Sequence, residues 1–149
     1  MINVPNPTNG PVASGDLFVF YGLLKQGAAG MPKEIYLEAA GRFGAPCRFK
    51  GTMVDLGGFP GVVNGETLCH GIRYVIDDPS IVPALDAFED TSPDDPAHAL
   101  YERRRIPLFT DQGKPARETA WIYWYKRDVS GVPVLSDGNW PLQAGRTRK

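Results

Sequence analysis

Apolar segments dominate the first half of this chain, and their lengths favour strands over helices. Residues 16–21 form an apolar run rich in aromatic and β-branched side chains that stops at Gly22, which predicts a strand buried on both faces. Three short segments with strand character follow, separated by Gly-Gly and Asn-Gly turn signals: residues 51–56, 61–63 and 68–76. The middle of the chain is therefore predicted to be mostly β-sheet.

Two stretches have the spacing of short helices. Residues 32–40 begin with a proline at a plausible first helical position and are followed by Gly41, where a left-handed cap would lie. In residues 79–89 the apolar side chains recur with a helical period, and Asp77 or Asp78 can cap this second helix.

The last third of the chain contains an aromatic hairpin. Residues 101–109 and 119–125 have strand character and are joined by a turn at Gly113. Together with the earlier segments they predict an α+β fold, either a mixed sheet or a small barrel with two or more helices.

The chain has the size of a single domain. A domain of 149 residues can bury roughly 70% of its unfolded surface, so it needs neither disulfides nor metals to form a core. We expect a flexible N-terminal arm over residues 1–15, one domain over residues 16–142 and a flexible tail over residues 143–149.

The composition excludes several classes of protein. A formal net charge of -1, with 22% charged residues, gives no general attraction to nucleic acid or anionic membranes. No apolar run approaches the ~18 residues of a membrane span, and the first residues lack the pattern of a secretory signal, so we expect a cytoplasmic protein. In that compartment Cys47 and Cys69 are expected to be buried apolar side chains rather than a disulfide.

The second predicted helix carries the candidate catalytic group, Glu89. At ~100° per residue, Glu89 points about 50° from the centre of the apolar side, whereas Asp86 lies ~110° and Asp90 ~150° away from it. That centre is defined by Ile81, Val82, Leu85 and Phe88. A carboxyl group on the apolar side would have a raised pKa and could act as a general acid/base. Alternatively, Glu89 merely ends the helix, paired with an arginine, and periodicity alone favours this simpler interpretation.

Two glycine-bearing segments are candidate binding loops. The strand that ends at Tyr21 is followed by Gly22, Leu23 and Leu24, where successive N–H groups could converge on a carboxylate or an oxyanion. The segment 55–61 surrounds Phe59 with three glycines and a proline, and could form the wall of a pocket. By itself the first segment is more simply interpreted as a plain turn, and the second can equally be one.

Taken together, these features resemble the γ-glutamylcyclotransferase-like family, which includes γ-glutamylamine cyclotransferases and AIG2-like proteins. No single matching segment is specific, but six agree in order and spacing over roughly residues 16 to 125, and Gly138-Asn-Trp140 is similar to the frequent Gly-x-Trp ending. The six matching segments are residues 18–25, 55–63, 71–75, 85–89, 101–103 and 120–123.

The resemblance implies a compact mixed β-barrel with short helices, an activity, and a role for each candidate residue. It implies cyclisation of a γ-glutamyl group to 5-oxoproline, with Glu89 as the general acid/base and the backbone of Tyr21, Gly22, Leu23 and Leu24 holding the glutamyl carboxylate. We further expect Phe59 to line the pocket, and Tyr101 and Tyr123 either to line it or to hydrogen-bond to Glu89.

This chain departs from the family pattern at two positions. Leu23 stands where the family often has Ser or Thr, and Asp90 stands where it often has Gly. The change at Leu23 removes a hydroxyl but leaves the backbone donors, so we expect an altered substrate preference.

Other functions are less well supported by the residues. His70 and His98 are isolated, which argues against a metal site, and cyclisation needs neither a metal nor a cofactor. Strand alternation sends Arg104 to the face opposite Arg103 and Arg105, which breaks up a basic patch for nucleic acid. The expected partner is a small-molecule γ-glutamyl substrate, with no nucleic acid and no membrane, for a monomer or homodimer. The alternative is a non-catalytic small-ligand-binding or protein-interaction module on the same fold.

Overall fold

The computed structural model describes residues 11–22, 37–88 and 99–140, and the fold is stated for these residues. The elements comprise five strands, two short α-helices and one 3-10 turn. In chain order they are β1 (Leu17–Phe20), α1 (Leu37–Ala40), β2 (Gly41–Asp55), β3 (Pro60–Ile76), the 3-10 turn Pro79–Ile81, α2 (Val82–Phe88), β4 (Tyr101–Thr110) and β5 (Pro115–Tyr125).

The strands form one closed sheet in the order β1-β3-β2-β4-β5. Four of the strand pairings are antiparallel, and the fifth, parallel, joins β1 to β5 where Phe18 lies opposite Trp121. The predicted α+β class with a mixed sheet and short helices is confirmed.

The first strand is buried on both faces, as its apolar run predicts. Val19 and Tyr21 belong to one hydrophobic cluster, and Phe18 and Phe20 to another. The second cluster also contains Leu37 of α1 and both Val82 and Leu85 of α2, so the helices pack on one side of the strand. Because side chains alternate along a strand, a single short segment organises both halves of the core.

Residues 41–76 form two long strands, although the sequence predicted three shorter ones. The register shifts between Gly51, which pairs with Thr67, and Thr52, which pairs with Val63. The three residues 64–66 are accommodated as an irregularity, so the Asn-Gly signal marks a bulge and not a chain reversal. A Cβ atom at Gly65 would lie 1.9 Å from the Thr52 hydroxyl oxygen, so only glycine fits here.

The ends of the helices follow the sequence in part. Asp78 is the N-cap of the 3-10 turn and accepts a hydrogen bond from the Ser80 amide at 3.0 Å, as expected. The prediction of a left-handed cap at Gly41 is wrong, because Gly41 begins β2. Glycine is nevertheless required at position 41 because β2 and β3 approach closely there: a Cβ atom would lie 2.2 Å from the Val75 carbonyl oxygen. Residues 32–36 of the predicted first helix lie outside the described residues.

The hairpin of β4 and β5 is confirmed. Gly113 lies in its turn with φ 87°, a conformation that glycine adopts without strain. After β5, the segment that ends at Trp140 bonds to the outer edge of β2, and the Leu135 amide donates to the Met53 carbonyl at 2.8 Å. Trp140 is 2% exposed and belongs to the same cluster as Val19.

Cys47 and Cys69 are buried and free, which agrees with the sequence-based interpretation. Within the described parts of the chain, no helix is long and apolar enough to cross a membrane.

Candidate functional site

The bend after β1 is packed against the turn between β2 and β3. Gly22 follows Tyr21 at this bend, and a Cβ atom built on it would lie 2.8 Å from Cγ of Pro60. Such a distance is shorter than real Cβ contacts, so the glycine is needed for the two segments to approach. The two candidate binding loops, distant in sequence, are thus neighbours in space.

The turn between β2 and β3 is held by its own hydrogen bonds. The Asp55 carboxylate accepts from the Gly57 amide at 2.8 Å and from the Gly58 amide at 3.3 Å. Gly57 and Gly58 have φ angles of 100° and 119°, which other residues rarely adopt. The turn presents Phe59 with 37% of its surface exposed, unusual for a large apolar side chain in this protein.

Tyr101, at the start of β4, fixes the same turn from the other side. Its hydroxyl donates to the Pro60 carbonyl at 2.7 Å, and the residue is 5% exposed. Its ring packs edge-on against the Tyr125 ring, with centroids 5.3 Å apart. Tyr101 therefore holds the β2–β3 turn beside the bend at Gly22.

The last turn of α2 contributes a buried carboxylate, Asp86. It is 5% exposed, and its two oxygens accept from Nε and Nη2 of Arg103 at 2.9 and 3.1 Å. The Tyr123 hydroxyl donates to the same carboxylate at 2.8 Å. Three charge-assisted hydrogen bonds thus offset the loss of water around this group.

This arrangement corrects the prediction that Asp86 points away from the apolar side. The helical projection took its centre from the apolar residues alone, so a carboxylate that is buried on the same face could not contribute to it. Among residues 82–87 of α2, whose burial is described, the buried positions are Val82, Leu85 and Asp86, the i, i+3, i+4 pattern of a helix face. A projection of one segment also cannot reveal that Arg103, in another element, neutralises the aspartate.

The three consecutive arginines of β4 are separated by strand alternation, as predicted. Arg103 and Arg105 lie over the ring of Trp121, at 4.7 and 4.4 Å from its centre, while Arg104 lies over Trp124 at 5.0 Å. Arg103 is 3% exposed. These residues do not form a continuous basic surface.

A hydrogen-bonded network connects the bend to α2. The Tyr21 hydroxyl donates to the main-chain carbonyl of Tyr123 at 2.6 Å, and the Tyr123 hydroxyl donates to Asp86. Tyr21, Tyr123, Asp86 and Arg103 are all less than one tenth exposed. Tyr21, two residues before Leu23, is therefore connected through Tyr123 of β5 to Asp86, three residues before Glu89.

The sequence-predicted site residues fall into two groups. Tyr21, Gly22, Phe59, Tyr101 and Tyr123 are described and connected by the contacts above. Leu23, Leu24 and Glu89 lie outside the described residues. The roles of Asp86 and Pro60 were not predicted from the sequence. For Asp86, the available signal was an aspartate in an otherwise apolar helix together with an arginine, Arg103, in a strand.

Comparison with known proteins adds three findings. A family model described as "Gamma-glutamyl cyclotransferase, AIG2-like" matches residues 17–142. The chain is 28% identical over 124 residues to a Vibrio cholerae protein named "Putative gamma-glutamylcyclotransferase", covering 83% of this chain and 94% of that protein. It is 32% identical over 88 residues to the "Gamma-glutamylcyclotransferase family protein YtfP" of Escherichia coli K12, and the match covers 59% of this chain and 66% of that protein.

A solved structure is similar throughout the domain. The solution NMR structure of ytfP from Escherichia coli matches with a TM-score of 0.57 and 27% sequence identity. The match covers 83% of this chain and 95% of that chain, so the agreement extends over nearly the whole of that protein.

Proposed function

This chain belongs to the gamma-glutamyl cyclotransferase, AIG2-like family, and on that premise we propose that it cyclises the γ-glutamyl group of a small γ-glutamyl amine or peptide. The products are 5-oxoproline and the free amine. Glu89 is the proposed general acid/base.

The reaction requires little beyond orientation and proton transfer. The α-amino group attacks the γ-carbonyl carbon of the same molecule, so the new C–N bond closes a five-membered ring. Glu89 removes a proton from the attacking amine and delivers one to the departing amine as the original amide bond breaks. The oxyanion that forms in between needs N–H donors.

We assign substrate binding to the bend after β1 and proton transfer to the end of α2, the two segments that Tyr123 connects. Backbone N–H groups of residues 21–24 hold the glutamyl carboxylate, which leaves Leu23 free to vary without loss of the donors. Phe59 and Tyr101 form the wall beside them. The contact of Gly22 with Pro60 supports this arrangement, because it brings the exposed Phe59 next to the bend.

The buried face of α2 is the observation that carries the assignment of Glu89. Val82, Leu85 and Asp86 occupy positions i, i+3 and i+4 of that face. In a helix that continues, the next position on it is i+7, which is residue 89. The carboxylate of Asp86 already accepts hydrogen bonds from Arg103 and Tyr123, which leaves position 89 as the candidate acid/base on this face.

The test is direct detection of product. The purified protein is incubated with γ-glutamyl amines, γ-glutamyl dipeptides and glutathione, and 5-oxoproline is quantified. We expect release from at least one class of substrate and a loss of at least about 100-fold in Glu89→Gln, the usual range for a general acid/base. Glu66→Gln, which changes a largely exposed carboxylate paired with Lys50, is the matched control and should keep the parental rate.

Two results would contradict the proposal in different ways. Parental rates in Glu89→Gln would remove this residue from the mechanism while leaving the reaction. Absence of product from every substrate, together with binding of a γ-glutamyl compound, would favour a non-catalytic binding module on this fold.

A further inference from the structure

Tyr123 is bonded to both segments of the proposed site through two different groups. Its main-chain carbonyl accepts the Tyr21 hydroxyl at 2.6 Å, and its own hydroxyl donates to Asp86 at 2.8 Å. Tyr21 directly precedes the bend at Gly22, and Asp86 belongs to the last turn of α2. One residue of β5 therefore contacts segments that lie far apart in the sequence.

The surroundings of Tyr123 leave it little freedom. It is 3% exposed and lies directly opposite Arg103 in the antiparallel pairing of β4 and β5. Arg103 binds Asp86 through two nitrogens and lies over Trp121. The last turn of α2 is thus held against two neighbouring strands, and Tyr123 belongs to one of them.

We propose that Tyr123 is a positioning residue that sets the distance between the two halves of the substrate pocket. Its carbonyl locates the bend that binds the glutamyl group, and its hydroxyl locates the end of α2 that leads to the acid/base. This inference rests on the proposed function. Because the two links use different groups, each can be removed without the other.

Two conservative variants separate the links. Tyr123→Phe removes the hydroxyl link and keeps the carbonyl, so kcat should fall about tenfold with KM within about twofold, since the acid/base is misplaced. Tyr21→Phe removes the link to the bend, so KM should rise about fivefold with a smaller change in kcat. Tyr74→Phe is the matched control, because it removes a buried hydroxyl that donates to the Leu37 carbonyl at 2.5 Å and leaves the hydrogen bonds of Tyr21 and Tyr123 in place.

A second readout does not depend on turnover. Hydrogen exchange followed by mass spectrometry should show the amides of residues 82–89 exchanging about fivefold faster in Tyr123→Phe. In Tyr21→Phe, the amides of residues 17–24 should exchange about fivefold faster. In Tyr74→Phe, the exchange rates of both segments should be unchanged. Variants that are merely less stable would instead exchange faster throughout the domain.

The outcomes distinguish this inference from the proposed function. If the parental protein releases no 5-oxoproline, the proposed function fails, and the exchange pattern alone decides whether Tyr123 positions the two segments. Localised exchange, with a change mainly in kcat for Tyr123→Phe and mainly in KM for Tyr21→Phe, supports the inference. Unchanged exchange at residues 82–89 in Tyr123→Phe, or the same kinetic change in both variants, overturns it.

Discussion

Replacement of Arg103 by leucine tests how the end of α2 is held. The side chains of Asp86 and Arg103 are 8% and 4% exposed, and two hydrogen bonds join them. Arg103→Leu keeps an apolar side chain in the space beside Trp121 but leaves the aspartate buried without its cation. The Tyr123 hydroxyl is then the remaining charge-stabilising partner among those described above.

The expected loss of stability is large for a protein of this size. Removing one partner of a buried ion pair costs about 3–5 kcal/mol, because the other charge is left in a medium that solvates it poorly. A domain has a free energy of unfolding of about 5–15 kcal/mol, so the variant should remain folded but marginally stable. With an m-value of about 2 kcal/mol/M, a loss of about 4 kcal/mol lowers the urea midpoint by about 2 M.

Urea unfolding followed by tryptophan fluorescence measures this loss, since Trp121 lies against Arg103 in the native protein. The double variant Asp86→Asn with Arg103→Leu removes both charges and should recover a substantial part of the loss, as expected for coupled neighbours. A loss below about 1 kcal/mol in Arg103→Leu would place the pair in the range of an exposed ion pair and refute the reasoning.

Four further predictions concern Gly22, Arg117 and the two cysteines. Gly22→Ala should lower the free energy of unfolding in urea by about 1–3 kcal/mol and raise KM for a γ-glutamyl substrate, because its Cβ would lie 2.8 Å from the Pro60 ring. An unchanged urea midpoint would contradict the close approach of Gly22 to Pro60. Arg117→Gly should raise the free energy of unfolding by about 0.5 kcal/mol, because Arg117 has φ 60° and relief of left-handed strain exceeds the entropy cost of glycine; a loss of stability in thermal unfolding would contradict this. Burial raises the pKa of the Cys47 thiol from 9.0 to about 12 and that of the Cys69 thiol to about 11, so both should resist a thiol reagent at pH 8 until urea unfolds the protein. Since the unfolded thiols ionise first, stability should also fall as pH rises above about 9, and a stability that stays constant up to pH 11 would contradict it.

The strands could be predicted where the apolar pattern is local. Residues 16–21 are apolar at every position but the first, and burial on both faces follows from that run alone. The hairpin around Gly113 was recognisable for the same reason. The sequence predicts two separate strands over residues 61–76, where the structure has one, because a bulge and a turn share the same Asn-Gly signal. Only the pairing partner on the neighbouring strand distinguishes a bulge from a turn.

The site depended on contacts that a pattern along the chain cannot contain. Periodicity favoured Glu89 over Asp86, because only the apolar residues define the centre of the helix face. Burial of Asp86 becomes favourable only through Arg103 and Tyr123, which come from two other strands. The contact between Gly22 and Pro60 likewise joins segments whose proximity depends on the complete fold.

A crystal structure of Glu89→Gln with a γ-glutamyl amine bound would locate the substrate directly. We expect the α-carboxylate to accept hydrogen bonds from the main-chain amides that follow Tyr21, with the α-amino group beside the side chain of residue 89. A ligand bound elsewhere, or a side chain at residue 89 that points into solvent far from the bend, would contradict it.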